Sequence, residues 1–411
     1  MDKKIIIVSS GQPSANPRLV KEAIALHEAG FKVGVLYCPL SPWADIYDQG
    51  LFQNHPEIEW IKVGYHPEKE RFLYLYTRIR QKCYVLFYKF FGNQSDAGIR
   101  SMVLFSQELV REAKKNQADL YIGHNLGALP AVIKAAVHYA VKSGFDFEDF
   151  HRGEDEEGSV AMKKAKSIEE KYVPSLDFFT AASPLIEKAY NKIFPAIPSV
   201  SINNCFPASY AVSEVKKLDH QVLKLFWFSQ MVGRKRGLEI VLQAMGLLGN
   251  GKVSLTLLGN CSAEIKTYLT ELAQQLQLQP GQLIFLPAVK EEMITEISSA
   301  YHIGLATEVP HIINRELCLT NKLFMYLLAG NALLVSNTTA QKQFINDNPS
   351  VGTMFDSDNI QQLATVLENY ILHPGLLEAQ RVHALILGKE ELNWDKEKYV
   401  FLKNVERILG K

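Results

Sequence analysis

Apolar and polar positions follow two different rhythms along this chain. Short runs rich in β-branched residues, such as residues 5–9, show no alternation, which is typical of strands covered on both faces in a parallel sheet. Between such runs, apolar residues recur every three or four positions, as they do from Leu19 to His27, which indicates amphipathic helices. The repeated order of strand and helix predicts an α/β protein built from doubly wound parallel sheets.

The predicted elements fall into two series, separated by a polar stretch at residues 209–220. The first series has strands near 5–9, 32–37, 58–63, 119–122, 145–147, 176–181 and 199–202, and helices near 17–29, 101–114, 128–141 and 184–192. The second has strands at 223–228, 254–258, 283–286 and 302–305 and a buried strand between Gly330 and Asn337, and helices at 237–248, 263–276, 291–300 and from Asn321 up to Gly330. We therefore predict two Rossmann-like domains, residues 1–208 and 209–390, and a C-terminal helix within 391–411.

Composition narrows the choice of function. The 411 residues exceed what one hydrophobic core usually holds. Lys and Arg equal Asp and Glu at 44 each, which argues against a nucleic-acid binder that works through bulk charge. Five scattered cysteines form no C-x-x-C pair and no readable zinc site, and the N-terminal apolar run is too short for a signal sequence. These features predict a cytoplasmic protein without a metal site.

Several common catalytic motifs do not occur in the sequence. We find no Walker loop, G-x-G-x-x-G, H-E-x-x-H or nucleophile elbow, which disfavours NTPases, dehydrogenases, metalloproteases and hydrolases of those types. Ligands of doubly wound sheets bind beyond the carboxyl ends of the strands. The candidate chemistry is therefore sought in the loops that follow strands, at a cleft that two such domains would share.

The segment from residue 319 to 337, LTNKLFMYLLAGNALLVSN, is the most informative. It predicts a helix that begins at Asn321 and Lys322, ends at Gly330 and precedes a buried strand. A helix start of this kind favours anions. The segment resembles the "P-x-K-x-F-E-Y-x-x-A-G-x-P-V-V" signature of sugar-nucleotide transferases, in which the Glu holds a ribose. Met325 occupies that Glu position here.

Five further segments match the same family in order and spacing. They are P-S-x-x-P-R-x-x-K-E-A-x-x-L-x-x-x-G-x-x-V at 13–33, D-x-x-x-x-H-N-x-x-A-L-P at 119–130, D-F-E-D-x-H-x-x-E at 146–154, S-I-N-N at 201–204 and G-R-K-R-G-L-E at 233–239. Together the six segments resemble retaining glycosyltransferases of the family 4 type. The resemblance implies a GT-B fold, in which two Rossmann-like domains face a cleft and the C-terminal helix within 391–411 packs back on the first domain.

The resemblance also implies an activity. A sugar would pass from a nucleoside diphosphate sugar to a glycan or lipid-linked acceptor with retention, without metal or other cofactor, in cell-surface polysaccharide synthesis. Two alternatives stay open. One is a catalytically silent GT-B protein that binds a nucleotide or scaffolds a polysaccharide-assembly complex. The other is a sugar-nucleotide epimerase of the same fold, which would need more acidic residues in the cleft than we can place.

Family positions in the second domain imply the donor site. Arg236 matches a diphosphate-binding Lys, and Gln230 replaces a strand-end Arg, for which Arg234 or Lys235 is a substitute in the same loop. Without the resemblance, this loop would be read as a solvated basic turn. The full set of expected donor-binding residues is Gln230, Arg234, Arg236, Gly237, Gly259, Val289, Asn321, Lys322 and Met325.

Catalytic residues are implied at two places. His124 directly follows a predicted strand, where the family places a His that contacts the donor sugar near its reactive carbon, although a lone His there is more often structural. The family's first Glu falls on Leu317. Glu316 lies one residue away and Glu308 is a second candidate, so the sequence leaves open which of them replaces it.

The acceptor side is expected in the first domain. Asp149, His151 and Glu154 form its densest cluster of proton-active groups, suited to acceptor binding or general-base chemistry. A solvated acidic loop is the equal alternative. Gly11 follows the first strand, where glycine lets a backbone approach a phosphate but is also a common turn residue.

Residues 71–91, RFLYLYTRIRQKCYVLFYKFF, combine aromatic and basic side chains. Such a composition is typical of helices that lie at a membrane interface, and a lipid-linked acceptor would explain it. We therefore expect peripheral contact with the inner face of the membrane. The alternative is an amphipathic helix that covers the first sheet, with Arg and Lys stems extended along it.

Overall fold

The computed structural model describes residues 3–93, 96–249 and 251–410. The chain forms two compact units, which divide after Ile202 and after Glu397. The sequence placed these limits at residues 208 and 390. The first unit takes the chain up to Ile202 together with the residues from Lys398 onward, and the second takes Asn203–Glu397.

The first unit is built on one sheet of seven strands. Its strands are β1 (Lys4–Ser9), β2 (Lys32–Tyr37), β3 (Glu59–Lys62), β4 (Leu120–His124), β5 (Lys142–Phe147), β6 (Phe178–Ala181) and β7 (Ser199–Ser201). All pair in parallel, in the order β3-β2-β1-β4-β5-β6-β7. Residues Ile5 to Val8 of β1 are fully buried, as the unbroken β-branched run predicts.

Eight helices within the described residues accompany this sheet. They are α1 (Pro17–Glu28), α2 (Asp45–Asn54), α3 (Arg71–Phe91), α4 (Ala97–Met102), α5 (Ser106–Ala113), α6 (Leu129–Tyr139), α7 (Val160–Tyr172) and α8 (Pro184–Ile193). The start of α1 shows why the boundaries fall where they do: Pro17 stands in the first turn, and the Asn16 side chain accepts a hydrogen bond from the Leu19 amide.

The second unit has a six-stranded parallel sheet. Its strands are β8 (Leu223–Met231), β9 (Val253–Asn260), β10 (Leu283–Leu286), β11 (Ile303–Ala306), β12 (Ala332–Ser336) and β13 (Gly352–Phe355), in the order β10-β9-β8-β11-β12-β13. The accompanying helices are α9 (Leu238–Leu248), α10 (Ala263–Gln275), α11 (Ile294–Ser298), α12 (Ile313–Leu317), α13 (Lys322–Ala329), α14 (Thr339–Asp347), α15 (Ile360–Leu372) and α16 (Pro374–Glu390).

The last helix, α17 (Trp394–Ile408), begins in the second unit and continues into residues that belong to the first. The Trp394 amide donates to the Phe206 carbonyl at 2.8 Å within the second unit. In the first unit, Lys3 Nζ donates to the Leu409 carbonyl at 2.7 Å.

The predicted elements differ from the observed ones in three ways. The helix expected at 101–114 is two helices, α4 and α5, because the chain turns at Val103 to Phe105. The helix expected at 291–300 shrinks to the five residues of α11 behind a short 3-10 turn. Helices α2, α7, α12, α14, α15 and α16 and strand β13 were not predicted. In α7 the buried Met162, Ala165, Ile168 and Tyr172 keep helical spacing, but intervening lysines and glutamates mask it.

The contact of β11 with α13 gives a test of core packing. We expect Gly304→Ala to lower the free energy of unfolding by about 1–3 kcal/mol, since overpacking a rigid site costs that much. An added Cβ would lie 2.1 Å from the ring of Tyr326, and this ring is buried and held by a 3.0 Å hydrogen bond to the Leu305 carbonyl. Urea unfolding curves measure the change.

Gly375→Ala is the matched control, because an added Cβ meets nothing within 4 Å there. It should be neutral or stabilise by up to about 1 kcal/mol. Equal unfolding curves for both variants would contradict tight packing between β11 and α13.

Candidate functional site

The carboxyl edge of the first sheet brings three loops together. Ser9 is in register with His124, and His124 is in register with Asp146, so β1, β4 and β5 end side by side. The sheet order reverses between β1 and β4, which is where doubly wound sheets usually bind ligands. Polar side chains at these strand ends therefore meet at one point.

A buried ion network occupies this point. Arg18 of α1 donates to both carboxylate oxygens of Asp146, at 2.6 and 2.7 Å, and to the Ile202 carbonyl at 2.5 Å. His124 contacts Glu22 through Nε2 at 3.0 Å and Glu148 through Nδ1 at 2.8 Å. Arg18, Glu22, His124 and Asp146 are all almost completely buried.

The charges in the network decide the protonation of its members. Burial alone would lower the pKa of His124, but Glu22 and Glu148 outweigh it and raise this pKa to about 10. Burial would raise the pKa of Asp146, and the Arg18 guanidinium instead holds it below the usual range. The pKa of Glu22 is raised by burial and by Asp146. His124 is therefore an imidazolium near neutral pH.

This network is suited to structure more than to a ligand. Glu22, His124 and Asp146 have ligand atoms within 4.8 Å of one another, a spacing that a metal ion could bridge. However, Arg18 already occupies both oxygens of Asp146, and a protonated imidazole offers no lone pair. The predicted contact of His124 with a sugar donor stays a prediction, and both of its ring nitrogens have carboxylate partners in the structure.

The predicted acceptor-side residues lie close to this network. His151 is buried, and its Nδ1 is 3.3 Å from Glu154, whose side chain is exposed. Burial would lower the pKa of His151, but Glu154 and Asp149 raise it to about 9. Asp149 is half-buried. Within the described residues, His151 Nε2 is buried and has no hydrogen-bond partner.

Gly11 follows β1 in a tight turn. Its amide donates to Ser9 Oγ at 3.1 Å, and its carbonyl accepts from the Cys38 amide at 3.1 Å. An added Cβ would have ordinary contacts only, 3.7 Å from the Asn125 amide oxygen. The turn does not require glycine here.

The second sheet has its own point of reversal, between β8 and β11. The loops after these strands are joined where Thr307 Oγ1 donates to the Arg236 carbonyl at 2.6 Å. Gly237 has a φ of +70°, and a Cβ there would lie 2.2 Å from the Thr307 carbonyl oxygen. Glycine is required at this position, because the two loops approach so closely.

Glu308 is the centre of a cationic cluster at the same edge. It binds Lys322 Nζ at 2.8 Å and Arg315 at 2.7 Å, while Arg236 lies close enough to act on its charge. Burial would raise the pKa of Glu308, but Lys322 and Arg315 lower it to about 2. One carboxylate faces three cations, so the cluster keeps an excess of positive charge. We call Glu308, Lys322, Arg315 and Arg236 the cationic cluster.

Residues of the loop after β8 are more exposed. Gln230 is exposed and lies in the irregular end of β8, where the register with β9 shifts between Phe228 and Met231. The Arg234 guanidinium stacks on the Tyr268 ring at 3.9 Å, a partner that the sequence did not indicate.

The segment after β11 contains the two glutamates between which the sequence did not decide, and the structure gives them different partners. Glu316 accepts from the Thr339 amide and hydroxyl, both at 2.7 Å, and so caps the start of α14. Glu308 instead holds Lys322 at the first position of α13. Arg315 was not predicted, and no sequence pattern marks it.

The remaining predicted donor residues lie around α13 and the strand ends. Asn321 precedes α13 but makes no side-chain cap, and Met325 is fully buried within the helix. Gly259 is buried near the end of β9, where a Cβ would lie 2.1 Å from the Ser229 carbonyl oxygen. Val289 follows β10 and is half-buried.

Comparison with known proteins gives matches at the level of structure. No family model matches the sequence, and no curated protein matches it. The chain is similar to HepE from Anabaena in complex with UDP, with a TM-score of 0.70 and 13% identity over 98% of this chain and 100% of that one. It is also similar to sucrose-phosphate synthase from Thermosynechococcus elongatus, with a TM-score of 0.72 and 13% identity over 99% of each chain.

A third similar structure is TarM from S. aureus in a complex that contains UDP, with a TM-score of 0.69 and 10% identity over 100% of each chain. These neighbours are GT-B proteins, and each likeness covers nearly the whole chain. The predicted fold is therefore confirmed: two parallel-sheet Rossmann-like units of the GT-B type.

The ion network of the first unit predicts a pH effect. Because the pKa of His124 rises to about 10 on folding, its stabilising contribution is complete below its ordinary value near 6.5 and is lost as pH rises through 10. We expect the difference in unfolding free energy between wild type and His124→Gln to shrink across this range in urea titrations.

His138→Gln is the control, because His138 is exposed on α6 of the same unit. It controls for the loss of one imidazole outside the ion network. A difference for His124→Gln that stays constant over this pH range would contradict a charged His124 in the folded protein.

The cationic cluster predicts an effect at low pH. The folded pKa of Glu308 is lowered to about 2, so its contribution is present above its ordinary value near 4.5 and is lost as pH falls through 2. Glu308→Gln should therefore destabilise the protein at neutral pH and resemble wild type at the acid end. The exposed Glu271, changed to Gln, is the control for loss of one carboxylate in this unit. Acid unfolding monitored by circular dichroism compares the three proteins.

Proposed function

We propose that the protein is a glycosyltransferase that moves a sugar from a nucleoside diphosphate sugar to a glycan or lipid-linked acceptor. The cationic cluster carries the proposal. It lies at the carboxyl edge of the second sheet, beside the reversal of strand order and the start of α13, where an anionic ligand is favoured. HepE and TarM, which share the fold, were both solved with UDP.

The positive charge suits a departing diphosphate. Negative charge grows on the leaving group as the glycosidic bond breaks, and fixed cations stabilise that charge most in the transition state. Lys322, Arg315 and Arg236 supply more cations than Glu308 neutralises. We propose that these side chains take the role that a metal ion plays in other transferases. The retaining stereochemistry rests on the resemblance of the six sequence segments.

For the acidic residue missing at Leu317, we propose Glu308 as the replacement. Glu308 is ionised and paired with cations, whereas Glu316 accepts two hydrogen bonds from Thr339 at the start of α14. His124 then acts through its neighbours, because its ring is enclosed by Glu22 and Glu148. The proposed place of action is cell-surface polysaccharide synthesis.

A catalytically silent nucleotide-binding or scaffold protein is the second candidate. Met325 is its supporting observation, because this side chain is fully buried where the resemblance implies a ribose-binding Glu. The two candidates differ in donor hydrolysis. A transferase slowly hydrolyses its donor without acceptor, and a silent protein binds the nucleotide without releasing sugar.

A thermal-shift screen against UDP, GDP, ADP and their sugars is the first experiment. A ligand at about one hundred times its dissociation constant adds about 2.7 kcal/mol of stability. Stabilisation by one nucleotide together with sugar release supports the transferase. Stabilisation without release supports the silent protein, and no stabilisation by any nucleotide contradicts both nucleotide-binding proposals.

Arg236→Ala should weaken binding of the stabilising nucleoside diphosphate by about 1.5–3 kcal/mol, the usual worth of a charge-assisted hydrogen bond. Isothermal titration calorimetry measures the change. Lys342→Ala is the control, since it removes one exposed cation from α14 in the same unit. Wild-type affinity in the Arg236 variant would exclude this residue from the site.

A further inference from the structure

Only one side of helix α3 packs against the rest of the first unit. The less exposed positions, Tyr74, Thr77, Gln81, Tyr84 and Tyr88, recur every three or four residues and so share one side of the helix. Gln81 donates to the Ser101 carbonyl at 3.2 Å, and the Tyr84 hydroxyl accepts from Arg100 at 2.7 Å. These contacts fix which side of α3 faces outward.

The outward side carries a stripe of large apolar residues. Phe72, Ile79 and Leu86 follow one another at seven-residue intervals and are 89%, 56% and 58% exposed. Phe90 extends the stripe by one turn and is 74% exposed. At 3.6 residues per turn, these positions lie opposite the packed side. A continuous apolar stripe of this length on a protein surface marks an interaction site.

Cations flank the stripe without acidic neighbours on the helix. Arg71, Arg78, Lys82 and Lys89 are exposed, and the sequence of α3 contains no Asp or Glu. Arg80 of α3 does not add to this exposed charge, because Glu108 binds it through two hydrogen bonds of 2.7 Å. The four exposed cations give the outward side a positive charge.

A second group of exposed apolar residues lies next to the start of α3. Trp43, Ile46 and Tyr47 are mostly exposed; Trp43 lies in the short 3-10 turn that precedes α2, and the other two lie in its first turn. Asp45, between them, binds His66 at 2.8 Å and Lys69 at 3.3 Å, and this ties the group to the turn that leads into α3. No sequence pattern predicts this group, because only the fold brings it beside the turn that leads into α3.

The stripe, the four exposed cations and the group at Trp43, Ile46 and Tyr47 together are called the α3 surface. We propose that the α3 surface docks on an anionic phospholipid bilayer. Aromatic rings of Trp and Tyr favour the boundary between lipid headgroups and acyl chains, and basic side chains near a membrane attract anionic lipids. A helix with this division of apolar and basic residues lies in the plane of the interface.

Charge argues for lipid over a second copy of the chain. A symmetric dimer through α3 would bring its four exposed cations close to those of its partner, and the helix offers no carboxylate to pair with them. Lipid phosphates supply the missing negative charge. The proposal does not depend on the proposed transferase activity, since binding to vesicles needs neither donor nor acceptor.

Vesicle co-sedimentation tests the proposal with the full chain. One set of vesicles is phosphatidylcholine alone, and the other is an equimolar mixture of phosphatidylcholine and phosphatidylglycerol. We expect binding to the anionic set, weakening as salt concentration rises, because surface attraction is screened beyond a Debye length of about 8 Å in physiological salt. Equal binding to both sets, or none to either, overturns the proposal.

Two variants separate the contributions of charge and apolar contact. Arg78→Gln with Lys82→Gln should weaken binding to anionic vesicles roughly thirtyfold, given about 1 kcal/mol for each cation near the surface. The matched control is Lys188→Gln with Lys192→Gln, two exposed lysines that are also four residues apart, on α8 of the same unit. Unchanged binding in the Arg78 and Lys82 variant contradicts the docking of α3.

The apolar stripe is tested by Phe72→Ser with Ile79→Ser and Leu86→Ser, which should abolish binding. Val137→Ser with Val160→Ser is the control, because both valines are exposed on other helices of the first unit. All of these side chains are on the surface, and a thermal melt confirms that each variant folds. If the stripe variant does not fold, the charge variant alone decides. A protein that dimerises through the stripe and ignores vesicles overturns the proposal.

The fluorescence of Trp43 measures how deeply this residue enters the bilayer. The chain has four Trp residues, and Trp227 and Trp394 are buried. Vesicles made with brominated lipids should quench Trp43 fluorescence, and the quenching should disappear in Trp43→Phe. Trp60 is half-buried, so the quenching of this variant is compared with that of wild type. Undiminished quenching would show that the group at Trp43, Ile46 and Tyr47 does not enter the interface.

Discussion

A buried carboxylate at the end of a parallel strand must be neutralised, and this constraint shapes both units of the protein. Removing one partner from a buried ion pair leaves an uncompensated charge at a cost of about 3–5 kcal/mol. In the first unit, Asp146 is held by Arg18. In the second, Glu308 is held by Lys322 and Arg315. Each pair joins a strand end to a helix, across 128 residues for Asp146 and Arg18 but across only 14 for Glu308 and Lys322, and so fixes the loops at the edge where ligands of such sheets bind.

The two charge clusters differ in their balance of positive and negative charge. Around Asp146 the cations Arg18 and His124 face three carboxylates, those of Asp146, Glu22 and Glu148, and the members bond to one another. Around Glu308 the cations outnumber the carboxylate. Lys322 and Arg315 pair with Glu308, while Arg236 acts on it through its nearby charge. The first cluster therefore stabilises the fold, while the second keeps positive charge available for an anionic ligand. This difference is why the proposed donor site is placed in the second unit.

The α3 surface adds a separate property. Its apolar residues face away from the unit they belong to, so they contribute little to folding free energy and remain exposed at a cost to solubility. A lipid-linked acceptor would place the substrate of the proposed transferase at a membrane. Docking through α3 would bring the enzyme to the same surface, and the two proposals support each other while each has its own test.

The sequence by itself determined the fold class, because strand and helix periods are local properties that neighbouring residues carry. It therefore indicated β1, β4, β8 and the start of α13, and the order of elements implied doubly wound sheets. It missed α7, where charged residues interrupt the buried positions. It left Glu308 and Glu316 equivalent, although they lie only eight residues apart. Only the tertiary structure separated them, because no local pattern shows that Lys322 at the start of α13 binds Glu308, or that Thr339 of the unpredicted α14 binds Glu316.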